Sequence, residues 1–530
     1  MHLETDVALA ALGIIVVVVA LAAIAPAVRV PYPILLVVGG LALGFVPGMP
    51  EFELDPELVL IGVLPPLLYS AAFFTSLRDL RANVRPIGML SIGLVVATTV
   101  VVAVVAHAAI DGLPWASAFV LGAVVSPTDP LAATSIARRL GVPRRVVTIV
   151  EGESLINDGS ALVLYRVAIV AVVSGTFSVW EAGLRFVLTA LGGVAIGLAV
   201  GWVVRQVRRR LDNPPVEITV SLMTAYFAAL PAELIGVSSV LAAVTAGIYL
   251  GWHTPELTSA QVRLQGTAVW EILTFLLNAL LFVLVGLQLP GILDELDGIS
   301  SLRLLGYAAV VCAAVVLTRA LLVVPATKLR GLLPGADGLP HAREAVVISW
   351  AGLRGAVSLA AALAIPLETD AGTPFPGREL IIFLTFAVIL FTLVGQGLTL
   401  PFVIDAMGVE EDDLEEREET KARIHAADAA LARLEELVGE EWVRDDTAER
   451  MRGLYGFRRS RFAARWDGDS EGSIEEQSLA YQRLRRELLA AESDAVVALR
   501  VAGRISNDVM RRVQRDIDLE AERLDAERQR

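Results

Sequence analysis

Ser126-Pro127-Thr128-Asp129-Pro130 and Glu153-Ser154-Leu155-Ile156-Asn157-Asp158-Gly159 interrupt two blocks that are otherwise apolar enough to cross a bilayer. A charge at the centre of a membrane helix costs roughly 2.5–3.5 kcal/mol even on the lenient insertion scale. Asp129, Glu153 and Asp158, facing lipid unpaired, would together cost on the order of 8–10 kcal/mol. A chain carries that load only where the acids face protein, water or an ion.

The surroundings support a membrane reading. The chain has 530 residues, 55% of them hydrophobic and 19% charged, with a mean hydropathy of +0.64. A spanning helix needs about 20 apolar residues. Blocks of that kind predict about thirteen spans, at 7–27, 32–46, 56–74, 86–108, 115–137, 146–173, 181–204, 216–231, 235–251, 267–289, 303–325, 343–366 and 379–405. The eighth and ninth are short, with only Pro231 and Glu233 marking a break between them. The expected fold class is an all-α polytopic membrane protein with a helical C-terminal region. The expected division is a transmembrane domain over 1–408 and a charged tail over 409–530. The N-terminus lacks the basic stretch of a signal peptide and reads as a retained first membrane helix.

The connecting loops alternate in charge. One set holds Arg29; Arg78, Arg81 and Arg85; Arg138, Arg139, Arg144 and Arg145; Arg205, Arg208, Arg209 and Arg210; Arg263; and Lys328, Arg330 and Arg343. The other holds Glu51, Glu53, Asp55, Asp111, Glu233, Asp294, Glu295 and Asp297, with few cations. By the positive-inside rule the first set is cytoplasmic, the N-terminus outside and the tail inside. The net charge of -14 comes largely from the tail, and nucleic-acid binding would need a basic face instead. Cys312 stands alone, so no intrachain disulfide or thiol metal site is expected. The tail reads as several helices with a loop at Asp467-Gly468-Asp469-Ser470; its partner, and whether it regulates, are not legible.

Pro127 and Pro130 each remove a backbone donor and clash with the preceding turn, so no regular helix runs through the fifth span. Gly352 and Gly355, in Trp350-Ala351-Gly352-Leu353-Arg354-Gly355-Ala356-Val357-Ser358, loosen the twelfth. Two interrupted spans seven apart have inverted orientations, the pattern of an inverted repeat crossing at a midplane site. Asp129, with Thr128 and the freed carbonyls, offers hard oxygen ligands that suit a small alkali cation. At about 100° per residue, Ser154 and Asp158 share one helical face and Glu153 and Asn157 a neighbouring one. Asp158 can then face Asp129, while Glu153 needs a separate partner. Arg354 is the cation expected there, in a buried pair that neutralises two costly charges. Direct ion coordination by Glu153, or pairing of Arg354 with Asp129 or Asp158, are the other arrangements. Two carboxylates in one low-dielectric pocket do not both ionise cheaply, so a cation and a proton compete for them.

These three motifs, in order, resemble the signature segments of the monovalent cation:proton antiporter family 1, the bacterial sodium/proton exchangers related to animal sodium/hydrogen exchangers. The resemblance covers about residues 1–408. It implies secondary exchange of Na⁺, or of K⁺ or Li⁺, for H⁺ by alternating access in the cell membrane. It implies a homodimer embedded in lipid, with a dimerisation domain and a six-helix core, and no cofactor. It implies cation and proton binding by Asp129 and Asp158, with Ser154 and the Thr128 carbonyl as further ligands, and the Glu153–Arg354 pair as structural support. Asn157, where some members carry a second acid, goes with electroneutral exchange.

Some members also place an acid in the third span, where this chain reads Leu67-Leu68-Tyr69-Ser70-Ala71. The choice among Na⁺, K⁺ and Li⁺ is therefore open, and a K⁺/H⁺ antiporter on the same scaffold is the alternative. The acids are single rather than ringed, which argues against a channel. An intramembrane aspartyl protease would want a Gly-x-Gly-Asp setting that is absent, and a non-transporting sensor would not need Asp129 and Asp158. Arg319 and Glu271 fall near predicted span ends, where snorkelling or ion-pairing is the ordinary expectation. Asn278 reads as an interhelical hydrogen-bonding residue. Arg166, about 12 Å along the helix from Asp158, has no evident role.

Overall fold

A computed structural model describes residues 2–28, 30–46, 58–175, 179–294, 296, 298–326, 341–409, 414–466 and 473–528. Arg29, Glu51, Glu53, Asp55, Glu295, Asp297, Lys328, Arg330 and the Asp467–Ser470 loop lie outside the described residues. The chain divides into two compact units, Met1–Glu411 and Asp412–Arg530.

The first unit is helical. Its only extended pairing among the described residues is an isolated bridge between Glu368 and Pro374. Every one of the thirteen apolar blocks carries helix. Among the described residues, seven helices are long and apolar enough to cross a membrane, including Val84–Ala109, Arg144–Val173, Ala260–Leu293, Ser301–Pro325 and Arg378–Met407. Shorter apolar helices cover Leu12–Val28, Tyr32–Gly44, Leu58–Phe74 and Trp115–Val124. A helix apolar on all sides needs an apolar surrounding. On Val179–Arg208, Leu184, Leu188, Leu191 and Trp202 point outward, as a lipid-facing surface would.

The eighth and ninth blocks divide later than Pro231. One helix runs Pro214–Ile235 with Pro231 inside it, and the next begins at Ser239. The stop is Gly236, at φ 80°, where only glycine sits without strain. Its amide donates to the Glu233 carbonyl and that of Val237 to Ala232, closing the helix end. The Ser238 hydroxyl then accepts from the Leu241 amide and starts the next helix.

The fifth block is helical over Trp115–Val124 and Leu131–Arg139, with residues 126–130 outside the helices. The twelfth is helical over Ala342–Trp350 and Ala356–Leu363, with 351–355 between them. The two prolines and two glycines sit in these gaps. The second unit holds the helices Leu414–Leu437, Asp445–Trp466, Ser473–Val501 and Asn507–Arg528. Exposed ion pairs, Arg459 with Asp428 and Arg452 with Glu435, join the first two of these. Leu489, Ile517 and Leu524 form a small apolar seam in the last two.

Candidate functional site

The two gaps meet through their backbones. The Asp129 amide donates to the Leu353 carbonyl at 2.8 Å. In return, the Arg354 Nε donates at 2.7 Å to the carbonyl of Val125, the residue that caps the end of Trp115–Val124. A helix end leaves about four such carbonyls unpaired, and a guanidinium is a suitable cap. Arg354 also donates through Nη1 to Gly352 O at 2.9 Å and through its amide to the Thr392 hydroxyl at 3.0 Å. Thr392 lies on a widened π-helical turn, Phe391–Gln396, a device common at functional sites.

Asp129 caps the second half of its own interrupted helix. One carboxylate oxygen accepts from the Leu131 amide at 2.9 Å. The carboxylate also rests on Gly355, where a Cβ would overlap it. Gly355 has an ordinary extended backbone, so glycine serves there by making room. The carboxylate is thus flanked by the starts of Leu131–Arg139 and Ala356–Leu363, whose positive dipole ends favour negative charge.

Arg144–Val173 supplies the facing side chains. The Ser154 hydroxyl donates to the Thr128 carbonyl at 2.6 Å, and Asn157 Nδ2 to the Thr128 hydroxyl at 2.7 Å. Thr128, Asp129, Ser154 and Asp158 all line one cavity of about 470 Å³, together with Pro127, Pro130 and Gly355. Asp129 and Asp158 lie close enough to interact through their charges. Asn278 and Ser70 line the same cavity, whereas Tyr69 is packed on Trp270 at 5.4 Å between ring centres. Arg138 and Glu151, which form a partly exposed ion pair at 2.6 Å, also line the cavity.

Glu153, Asn157 and Arg354 stand outside the cavity lining. The expected Glu153–Arg354 pair is not what the structure forms. Arg319, from the helix Ser301–Ala326, makes a two-pronged ion pair with Glu153, one arm through Nη1 and Oε1 and the other from Nη2 to Oε2 at 2.7 Å. Both residues are buried. Arg319 also donates through Nε and Nη2 to the Ile348 carbonyl, at 3.2 and 3.0 Å, capping the end of Ala342–Trp350. A Cβ on Gly352 would collide with the Arg319 side chain, so this glycine admits the guanidinium. The first half of each interrupted helix therefore ends on an arginine from elsewhere: Arg354 for the fifth block and Arg319 for the twelfth. Arg354 stays within electrostatic reach of Glu153 without bonding it.

The sequence places Arg319 near a span end, where snorkelling or ion-pairing is expected, but does not connect it with Glu153. The signal for that connection was a second arginine in an apolar block, with an acid still needing a partner. Arg166 also acquires a partner: its Nη2 lies 2.7 and 2.9 Å from the two Glu233 carboxylate oxygens, and Ser239 donates to the same carboxylate.

A helical unit with membrane-length spans, in which two interrupted segments bond each other beside two acids in one cavity, has the form of a secondary transporter, and comparison with known proteins agrees. The chain belongs to the sodium/hydrogen exchanger family, whose transmembrane model matches residues 13–406. It is 40% identical over 504 residues to an uncharacterized Na⁺/H⁺ exchanger of Mycobacterium tuberculosis, covering 94% of this chain and 92% of that one. It is 36% identical over 389 residues to a sodium, potassium, lithium and rubidium/H⁺ antiporter of Bacillus subtilis, covering 71% of this chain and 58% of that one. Among solved structures, the sodium proton antiporter MjNhaP1 of Methanocaldococcus jannaschii has the same fold, with a TM-score of 0.58 at 20% identity over 77% of this chain and 99% of that one. Family and relatives together support cation/proton antiport.

Proposed function

We propose that the protein exchanges Na⁺ for H⁺ by alternating access, the two ions competing for Asp129 and Asp158, with the Ser154 hydroxyl and the Thr128 carbonyl as further ligands. The observation that carries this reading is the shared cavity: these four residues line it, while the charge of Glu153 is cancelled away from it by Arg319. Glu151, also in the lining, is held by Arg138, and of the lining acids Asp129 and Asp158 are the two on the interrupted segment and on the helix face opposite it. Ser154 and Thr128 O bond each other here and would part to receive a cation.

The thirteen-span layout, with two broken helices crossing in an inverted repeat, is part of the same reading, as is a homodimer in the cell membrane. The loop charges support an outside N-terminus and a cytoplasmic second unit. Arg138 and Glu151 in the cavity lining adjoin the arginine-rich loops, which supports a cavity reached from the cytoplasm.

Exchange of K⁺ is the second reading. No carboxylate occupies the Leu67–Ala71 stretch, so the site has fewer hard charged ligands, and the printed name of the Bacillus subtilis relative includes potassium. The test is proton release from vesicles of reconstituted protein on adding Na⁺, Li⁺ or K⁺ at several pH values. The half-saturating Na⁺ concentration should rise as pH falls, because protons compete. A half-saturation independent of pH would remove the single-site mechanism, and a response to K⁺ alone would replace Na⁺ as substrate.

A further inference from the structure

A second cavity, of about 250 Å³, lies among the helices Leu64–Phe74, Pro214–Ile235, Ser239–Leu257 and Ala260–Leu287. It shares Phe74 and Trp270 with the Asp129 cavity but none of its acids. Its lining carries two arginines, Arg208 and Arg263, and no carboxylate. The hydroxyl residues Ser221, Thr254, Thr258 and Thr267 complete its polar wall.

Arg208 is the unusual member. Its side chain is 3% exposed, and Nε and Nη2 both bond the same oxygen of Glu217, at 3.2 and 3.0 Å. Nη1 is buried and has no hydrogen-bond partner among the described residues. An orphaned buried donor of this kind is costly unless an acceptor reaches it. Arg263, at the open rim, bonds only the Thr258 carbonyl and makes no ion pair among the described residues. Glu217 is taken by Arg208, and Glu256 lies 3.9 Å from Arg205. The cavity thus holds a surplus positive charge, a spare buried donor and several hydroxyls.

We propose that this cavity binds a phosphate group, with Arg208 Nη1 and the Arg263 guanidinium as charged donors. Planar guanidinium forks match the oxygens of a phosphate. Both arginines sit at helix ends of the arginine-rich set, and basic pockets between membrane helices on that side receive anionic headgroups. The phosphate can come from a phospholipid or from solution, and the chemistry of the site is the same for both. The inference is independent of which cation is exchanged.

The test measures the thermal midpoint of the purified full-length protein in detergent with increasing phosphatidylglycerol, inorganic phosphate or, at equal ionic strength, chloride. Phosphatidylglycerol or inorganic phosphate, whose phosphate keeps its net negative charge, should raise the midpoint beyond chloride and beyond phosphatidylcholine, whose choline cancels that charge. A response to phosphatidylglycerol alone identifies a lipid, and one to inorganic phosphate a soluble anion. In Arg263→Gln, the concentration for half the shift should rise at least about tenfold, as for one lost charge-assisted contact. In Glu217→Gln, which frees the Arg208 fork, the ligand-induced shift should grow even though the unliganded protein is weakened; misfolding does not produce that opposite change. Equal shifts in chloride, or an unaltered response in both variants, would overturn the proposal.

Discussion

Arg319 and Glu153, 166 residues apart in sequence, face each other as a buried, two-pronged ion pair beside the cavity that holds Asp129 and Asp158. The pair turns one of the three membrane acids into a strut. Arg319 anchors to the Ile348 carbonyl at the same time, so the strut joins three helices: Arg144–Val173, Ser301–Ala326 and Ala342–Trp350.

Removing one partner of a buried pair leaves an uncompensated charge, which costs about 3–5 kcal/mol. Glu153→Gln and Arg319→Gln should each lower the unfolding midpoint sharply. The double variant should recover part of the loss, because neither charge is then stranded. Midpoints that do not move in the single variants would remove the structural role of the pair.

Asp129→Asn and Asp158→Asn are expected to leave the helical content unchanged. Exchange should fall at least about tenfold, the effect of losing about 1.4 kcal/mol of ion affinity. Proton flux in vesicles and circular dichroism on the same preparations separate the two effects. Retained exchange in either variant would detach that residue from the site.

Gly355→Ala places a methyl group where the Asp129 carboxylate rests. Exchange should drop nearly as far as in Asp129→Asn, although no charge or ligand is removed. Gly88→Ala serves as the comparison, because a Cβ there meets nothing within 4 Å, and its exchange should be close to that of the parent protein. Equal activity in the two variants would mean that the carboxylate has room to shift.

Arg166 and Glu233 are partly exposed, at 46% and 34%. Exposed pairs contribute roughly 0.2–1 kcal/mol. Arg166→Gln should therefore shift the unfolding midpoint only slightly, and added salt should reduce the difference from the parent protein. A large shift that persists in high salt would show that the pair is more deeply coupled to packing.

In the second unit, the hydrogen bond from Arg452 lowers the pKa of the Glu435 carboxyl. A depressed carboxylate stabilises the folded state above its unfolded value, about 4.3, and loses that contribution as pH falls through the folded value. Arg452→Ala should move the Glu435 titration upward in a carboxyl-resolved NMR experiment. A titration that stays in place would mean that the pair is not formed in solution.

The gap at 126–130 was legible because two prolines four positions or fewer apart leave a helix no way through. The separation of Glu153 from Asp158 was legible too, since helical geometry alone puts them on different faces. The partner of Glu153 was not. Sequence spacing ranks Arg354 and Arg319 only by depth in their spans, and the choice depends on how Ser301–Ala326 leans across the interrupted helix. Gly352, whose missing side chain makes room for that arginine, carries no mark of this in one dimension. The boundary near Pro231 was misplaced for a related reason. Proline weakens a helix locally, but the chain stops where glycine accepts a positive φ at Gly236.

The reciprocal stitching of Asp129 to Leu353 and of Arg354 to Val125 has a mechanical consequence. Neither irregular segment slides without tearing a buried contact made by the other. A stroke that moved the acids would therefore carry both irregular segments as a single cassette, or break these contacts.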